Sequence, residues 1–235
     1  MSIYLFRFLL VISLFAIAFI SACSGIDAIE TTSAQSSDEK FLVTKNVESL
    51  TIPKAKKGEA VAVFAGGCFW GVEAVFEHIK GVRAATSGYS GGKAENANYK
   101  IVSNGDTDHA EAVHVIYDPK KVSYQQLLKV FFSVAHNPTE LNRQGPDTGT
   151  QYRSAIFYND DEQKRLAESY IKELTEAKTF DQPIVTQVVP LVTFYKAEDY
   201  HQDYLVNHPN QPYIVTHDKP KVENLSKQFP DLYKK

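Results

Sequence analysis

Residues 60–81 read AVAVFAGGCFWGVEAVFEHIKG, and the hydrophobic period changes half-way along. Ala60 to Ala65 is a short apolar run closed by Gly66 and Gly67, the pattern of a buried strand. Phe69, Val72, Phe76 and Ile79 then recur at helical spacing, and Gly81 supplies a C-terminal stop. Cys68 therefore falls at a strand-to-helix turn.

Working outward, Val82 to Tyr89 and His109 to Tyr117 read as two further strands. The polar stretch between them, Ser90 to Asp108, is long for a compact domain and so a candidate for function. Ser123 with Gln126 predicts a capping box for a helix running to about Ala135, and Ser154 to Tyr158 reads as a short strand. Strand, helix, strand, strand, helix, strand is the order of a split βαβ unit. A ferredoxin-like α/β two-layer sandwich is expected. Additions follow it: a charged amphipathic helix from Asp160 to about Ala177, a β-branched strand from Ile184 to Val189, and a last helix from Glu198 to Val206.

The chain has 235 residues, a hydrophobic content of 43% and a formal charge of -3. One core is sufficient for that length, and the absence of a basic excess sets nucleic-acid binding aside. A single cation, Arg7, precedes the apolar run Phe8 to Ile20, the layout of a secretory signal. Ile20-Ser21-Ala22-Cys23 resembles the lipobox of bacterial lipoproteins, so Cys23 is expected to be lipidated; an uncleaved anchor is the alternative. Acyl chains contribute roughly 0.8 kcal/mol per buried methylene, enough in combination to hold a protein on a membrane. The expected organisation is a signal over 1–22, a lipidated N-terminus and flexible tether over 23–58, and a catalytic domain over 59–235. The tether has a reach of about 35 Å if flexible. The location expected is the bacterial cell envelope, facing periplasm or exterior, and a monomer is expected.

Only Cys23 and Cys68 are present, so no disulfide framework can be built and one thiol is left for chemistry. A helix N-terminus favours a thiolate, which predicts a lowered pKa for Cys68; a lone cysteine is otherwise usually inert core. Glu111 shares a strand face with Val113, Val115 and Tyr117. A carboxyl on an apolar face is held neutral by burial and can then donate a proton. The bland alternative is a glutamate at a wet strand end. His109 and His114 have an odd separation and point to opposite faces, and the Glu198 to His201 spacing is that of a polar helix face. No metal and no cofactor are expected.

Beyond these two residues, Gly66-Gly67-Cys68-Phe69-Trp70-Gly71 resembles the active-site signature of the A-type peptide methionine sulfoxide reductases. Gly88 to Gly92, Gly105 to Val113, Tyr117 to Pro119, Gly149 to Ser154 and Ala197 to Gln202 resemble further family segments in family order. The resemblance spans about Val61 to Pro209. It implies that Cys68 attacks the sulfoxide sulfur, that Glu111 protonates the oxygen, and that Tyr99 and Tyr152 hydrogen-bond that oxygen. It also implies that Phe69 and Trp70 receive the S-methyl group and that Asp147 orders the polar side of the site. The expected substrates are proteins and peptides bearing methionine S-sulfoxide, with a Cys68 sulfenic acid as the intermediate.

Two departures bear on this. Many family members carry further cysteines near the C-terminus, whereas none follows Asn210 here, which points to recycling by an external thioredoxin-like, glutaredoxin-like or small thiol. Asp108 stands where the family usually has glycine, which bears on loop geometry and not on a catalytic role. Met1 is the only methionine, so a processed chain would lack the residue it repairs. The rival readings are a cysteine hydrolase using His109, His114 or His136 as base, and a non-enzymatic envelope lipoprotein.

Overall fold

The computed structural model describes residues 52–235; the expected signal, Cys23 and most of the tether lie outside them. The last residues of that tether lie against the domain. Ile52 packs on the sheet, and Arg83 donates to the Lys54 carbonyl at 2.9 Å while pairing with Glu59 at 2.6 Å.

Strand β1 is Ala60–Gly66, helix α1 Phe69–Glu77, strand β2 Val82–Ser90 and strand β3 Ala110–Tyr117. A one-turn helix, α2, Tyr99–Val102, lies in the loop between β2 and β3 and is capped by the Asn98 side chain. Helix α3, Tyr124–Val130, begins with the expected Ser123/Gln126 capping box and runs into a π-turn over Phe131–Ala135. A two-residue-per-strand hairpin, β4 Arg143–Gln144 and β5 Asp147–Thr148, precedes β6, Ser154–Tyr158. Helix α4 is Asp161–Glu176, β7 Gln187–Pro190, β8 Phe194–Lys196, α5 Tyr204–Asn207 and α6 Lys219–Gln228.

The main sheet has the order β7-β6-β1-β3-β2-β8. Its four central strands are mutually antiparallel, which is the split βαβ arrangement expected from the element order; only the β6–β7 pair is parallel. Alternation along β1 sends Ala62 and Phe64 to one face and Val63 and Ala65 to the other. On the first face Phe64 stacks between Phe76 of α1 and Phe131, with ring centroids 5.0 and 4.9 Å away. Alternation along β3 puts Glu111, Val113, Val115 and Tyr117 in one row, and all four are buried.

Four of the additions differ from the sequence reading. The expected helix over 198–206 is broken, because the Asp203 N–H is taken by Glu73 of α1 at 3.1 Å and the Gln202 amide clamps the Ser87 backbone of β2. With these groups committed elsewhere the chain makes a 3-10 turn, passes through Asp203 at φ 52, and resumes as α5. The expected strand at 184 starts three residues later, since Val185 N–H donates to the Pro138 carbonyl at 2.8 Å and not to β6. Helix α6 and strand β8 were not foreseen.

Candidate active site

The turn between β1 and α1 has little room on either side. A Cβ on Gly67, whose φ is +90, would lie 2.5 Å from Gln144; one on Gly66 would lie 3.1 Å from His136 and Phe131. Glycine at both positions lets the backbone pass between these side chains and leaves Cys68 as the N-cap of α1, 8% exposed.

Cys68 does not have the lowered pKa expected of a helix N-terminus. Burial pushes it well above the ordinary thiol value, and the charges of Glu111 and Asp218 act in the same direction. The Trp70 backbone N–H and the Lys221 ammonium oppose this and are outweighed. Among the described residues Cys68 is the free cysteine.

Glu111 stands where alternation predicted, 2% exposed and directly across from Tyr89 of β2. Its Oε2 accepts the Phe69 backbone N–H at 3.1 Å, so the carboxyl is tied to the residue next to Cys68. Burial raises its pKa to about 8; that hydrogen bond works against the shift, and the charges of Asp147 and Asp218 add to it. At neutral pH Glu111 is therefore mainly a carboxylic acid, with a proton to give.

Tyr99 is set by α2, and its backbone N–H donates to Glu198 Oε1 at 2.9 Å. Tyr152 follows from the 3-10 turn Thr150–Tyr152. Both phenols are raised in pKa by burial first and then by Glu111, and the Cys68 charge acts on both, so both hydroxyls remain donors facing the same centre. Phe69 is buried and Trp70 partly so; their ring centroids are 6.4 Å apart. Asp147, on β5, accepts the Tyr213 hydroxyl. The structure thus gathers Cys68, Glu111, Tyr99, Tyr152, Phe69, Trp70 and Asp147 at one end of the sheet.

The Glu198 to His201 spacing does not mark a polar helix face: His201 closes a 3-10 turn and is buried among the aromatic rings of this centre. His201 is 1% exposed; its Nδ1 accepts the Trp70 indole N–H at 3.1 Å, and its ring lies 5.0 Å from Phe69 and 4.6 Å from Tyr99. Tyr204 stacks on Trp70 with centroids 3.7 Å apart and planes 5° from parallel. Asp218 and Lys221 lie against the first turn of α1. His201 falls in the Ala197 to Gln202 segment that resembles the family, whereas Tyr204, Asp218 and Lys221 fall outside the segments that carry the resemblance.

The histidines named as possible bases are engaged elsewhere. His136 bonds the Phe131 carbonyl and Ser154 through its two nitrogens, and burial lowers its pKa to about 3. His109 bonds Gly92 and Lys93. His114 packs against Phe194 on the other face of the sheet and is lowered to about 4. None of these three histidines is left to act as the base that the hydrolase reading assigned to it.

A family model described as peptide methionine sulfoxide reductase matches residues 60–233. The chain belongs to the peptide methionine sulfoxide reductase family. The reductase is 58% identical over 180 residues to peptide methionine sulfoxide reductase MsrA 2 of Mesorhizobium japonicum, covering 77% of this chain and 92% of that one. It is 53% identical over 178 residues to MsrA 2 of Synechocystis, covering 76% and 83%. Among solved structures, reduced Mxr1 from Saccharomyces cerevisiae matches with a TM-score of 0.62 at 34% identity, covering 68% of this chain and 92% of that one. Methionine sulfoxide reductase A of Corynebacterium diphtheriae matches with a TM-score of 0.59 at 36% identity, covering 66% and 78%. The reductase is accordingly an oxidoreductase of methionine sulfoxide, as the sequence motifs implied.

Proposed function

We propose that the enzyme reduces the S epimer of methionine sulfoxide in proteins and peptides through a Cys68 sulfenic acid, and that an external thiol returns Cys68 to its reduced form. The observation that carries this reading is Glu111, a buried acid hydrogen-bonded to the residue beside the thiol. An oxide oxygen is a poor leaving group until it is protonated. In the proposed step Cys68 Sγ bonds to the sulfoxide sulfur while Glu111 protonates the oxygen, and the proton shed by the thiol restores Glu111. Resolution leaves the hydroxyl on Sγ and frees the thioether, so the substrate sulfur gains two electrons and Cys68 loses two. Tyr99 and Tyr152 donate to the oxygen, Phe69 and Trp70 enclose the S-methyl group, and Asp147, held by Tyr213, orders the polar rim.

With one thiol in the domain, the sulfenic acid has no internal partner. One external thiol forms a mixed disulfide with release of water, and a second releases Cys68. The class of reductant proposed is thioredoxin-like, glutaredoxin-like or a small thiol. To test this, the full chain is given a sulfoxide peptide without reductant and then dimedone, and the Cys68 peptide is weighed. One adduct per methionine formed is expected; an intramolecular disulfide in its place would overturn the recycling scheme.

The N-terminal sequence supports attachment of the enzyme to the cell envelope through Cys23. Metabolic labelling with a palmitate analogue should mark the natural chain and not Cys23→Ser, and equal labelling would refute the anchor.

A further inference from the structure

Against the first turn of α1 lies an ion pair that the reaction scheme above does not use. Asp218 is 0% exposed, and its Oδ1 is 3.4 Å from Lys221 Nζ, a side chain that is itself 19% exposed. Asp218 Oδ2 is buried with no hydrogen-bond partner. The pair is pressed against the first turn of α1: a Cβ on Gly71 would come within 2.1 Å of Asp218 Oδ1 and 2.8 Å of Lys221 Nζ. Gly71 is three residues after Cys68, so both charges reach the helix end that carries the thiol. The ammonium also faces the Gly66 side of the turn, where its charge acts on His136, whose ring lies 3.1 Å from a Cβ built on Gly66.

Leaving a carboxylate oxygen buried and unpaired costs its desolvation without the return of a hydrogen bond. Stability alone does not account for it, because a well-packed apolar pair in the same volume is often as stable as a buried ion pair. We propose that Asp218 and Lys221 are positioning residues of the reaction, a buried ion pair that sets the charge felt by the Cys68 thiol and by the Glu111 carboxyl. The two members act in opposite senses. The Asp218 carboxylate opposes ionisation of Cys68 and of Glu111, and Lys221 favours ionisation of Cys68. The other groups bearing on this centre are Glu111 on β3, Asp147 on the hairpin, Tyr99, Tyr152 and Tyr213, with His217 acting on Asp218. Lys221 is the cation that acts on Cys68, and Asp218 holds it in place.

This inference rests on Cys68 being the reacting thiol, and its test needs no sulfoxide. The full chain is alkylated with iodoacetamide over a range of pH, the Cys68 peptide is followed by mass spectrometry, and folding is checked by circular dichroism. Asp218→Asn should move the midpoint down and Lys221→Met should move it up, each by about one pH unit, a tenfold change in rate below the midpoint. Lys221→Arg should stay with the natural chain. If Asp218→Asn does not fold, Lys221→Met and Lys221→Arg decide between the outcomes. An unmoved midpoint in folded Lys221→Met, or shifts of the same sign in Asp218→Asn and Lys221→Met, would overturn the proposal. Loss of reductase activity with the opposite shifts intact would count against the proposed reaction and not against the pair.

Discussion

The Phe69 backbone N–H donates to Glu111 Oε2 at 3.1 Å, joining the residue after Cys68 at the start of α1 to the buried carboxyl on β3. The bond fixes the distance between thiol and carboxyl without using either reacting proton. Glu111→Gln should preserve it, since an amide oxygen accepts the same N–H. The amide has no acidic proton, so kcat for sulfoxide reduction should fall by about 10²- to 10⁴-fold with the melting temperature little changed. Comparable loss of fold and activity would mean that Glu111 is structural.

The pKa of Glu111, raised to about 8, gives a sign to the pH profile. The acid is protonated below that value and ionised above it. Single-turnover reduction should therefore decline as pH rises through about 8. The decline should be absent in Glu111→Gln, whose residual rate should instead follow ionisation of Cys68 and rise with pH.

Burial also raises Glu73 to about 8, from an ordinary value of 4.5. A carboxyl raised on folding adds stability that is complete below about pH 4.5 and is lost as pH rises through about 8. Glu77 and Glu111 act in the same direction. His114, His136 and His201 are lowered from 6.5, so their stability is complete above that pH and lost only on acidification. Above about pH 6.5 the carboxyls act alone, and thermal melts should show the melting temperature falling towards pH 9. Glu73→Gln should be less stable at pH 6.5, since it gives up one of the two backbone N–H groups that Glu73 accepts, from Ser87 and Asp203. Its fall with pH should be shallower; parallel curves would exclude Glu73 as a source of the slope.

The strand-helix turn, the central four strands and Glu111 were legible because each rests on a local period. The glycine pair marks the turn, and alternation from Glu111 to Tyr117 marks one buried face. His201 was not legible as a packing centre, because its contacts to Phe69, Trp70 and Tyr99 come from three other elements. Cys68 was misjudged in charge for a similar reason. The helix terminus is visible in sequence, whereas the burial and the Asp218 carboxylate that outweigh it come from the fold. Helix α6 did carry a signal, Pro220 in its first turn, but its apolar positions are too sparse to set a period.

Trp70 is the only tryptophan, which makes the aromatic wall directly observable. The neutral His201 ring accepts its indole N–H, as its pKa of about 4 allows at any pH near neutrality. His201→Phe removes that acceptor at similar volume. Its Trp70 emission should shift, and KM for a sulfoxide peptide should rise several-fold with a smaller change in kcat. An unchanged emission and KM would show that the bond does not set the pocket.

Gly71 leaves no room for a side chain, since a Cβ would meet Asp218 Oδ1 at 2.1 Å and Cγ at 2.8 Å. Asp218 is fully buried and cannot swing into water. Gly71→Ala should therefore cost about 1–3 kcal/mol in urea unfolding, the range for overpacking. A neutral result would mean that the C-terminal segment carrying Asp218 moves away freely.

The central claim is that Cys68 reduces the sulfoxide with Glu111 as its acid. Its most direct test is dithiothreitol-supported reduction of a methionine sulfoxide peptide by the full chain, resolved by epimer, beside Cys68→Ser. Conversion of the S epimer alone, abolished in Cys68→Ser, is the predicted result; conversion that survives in Cys68→Ser, or that consumes both epimers alike, would contradict the account.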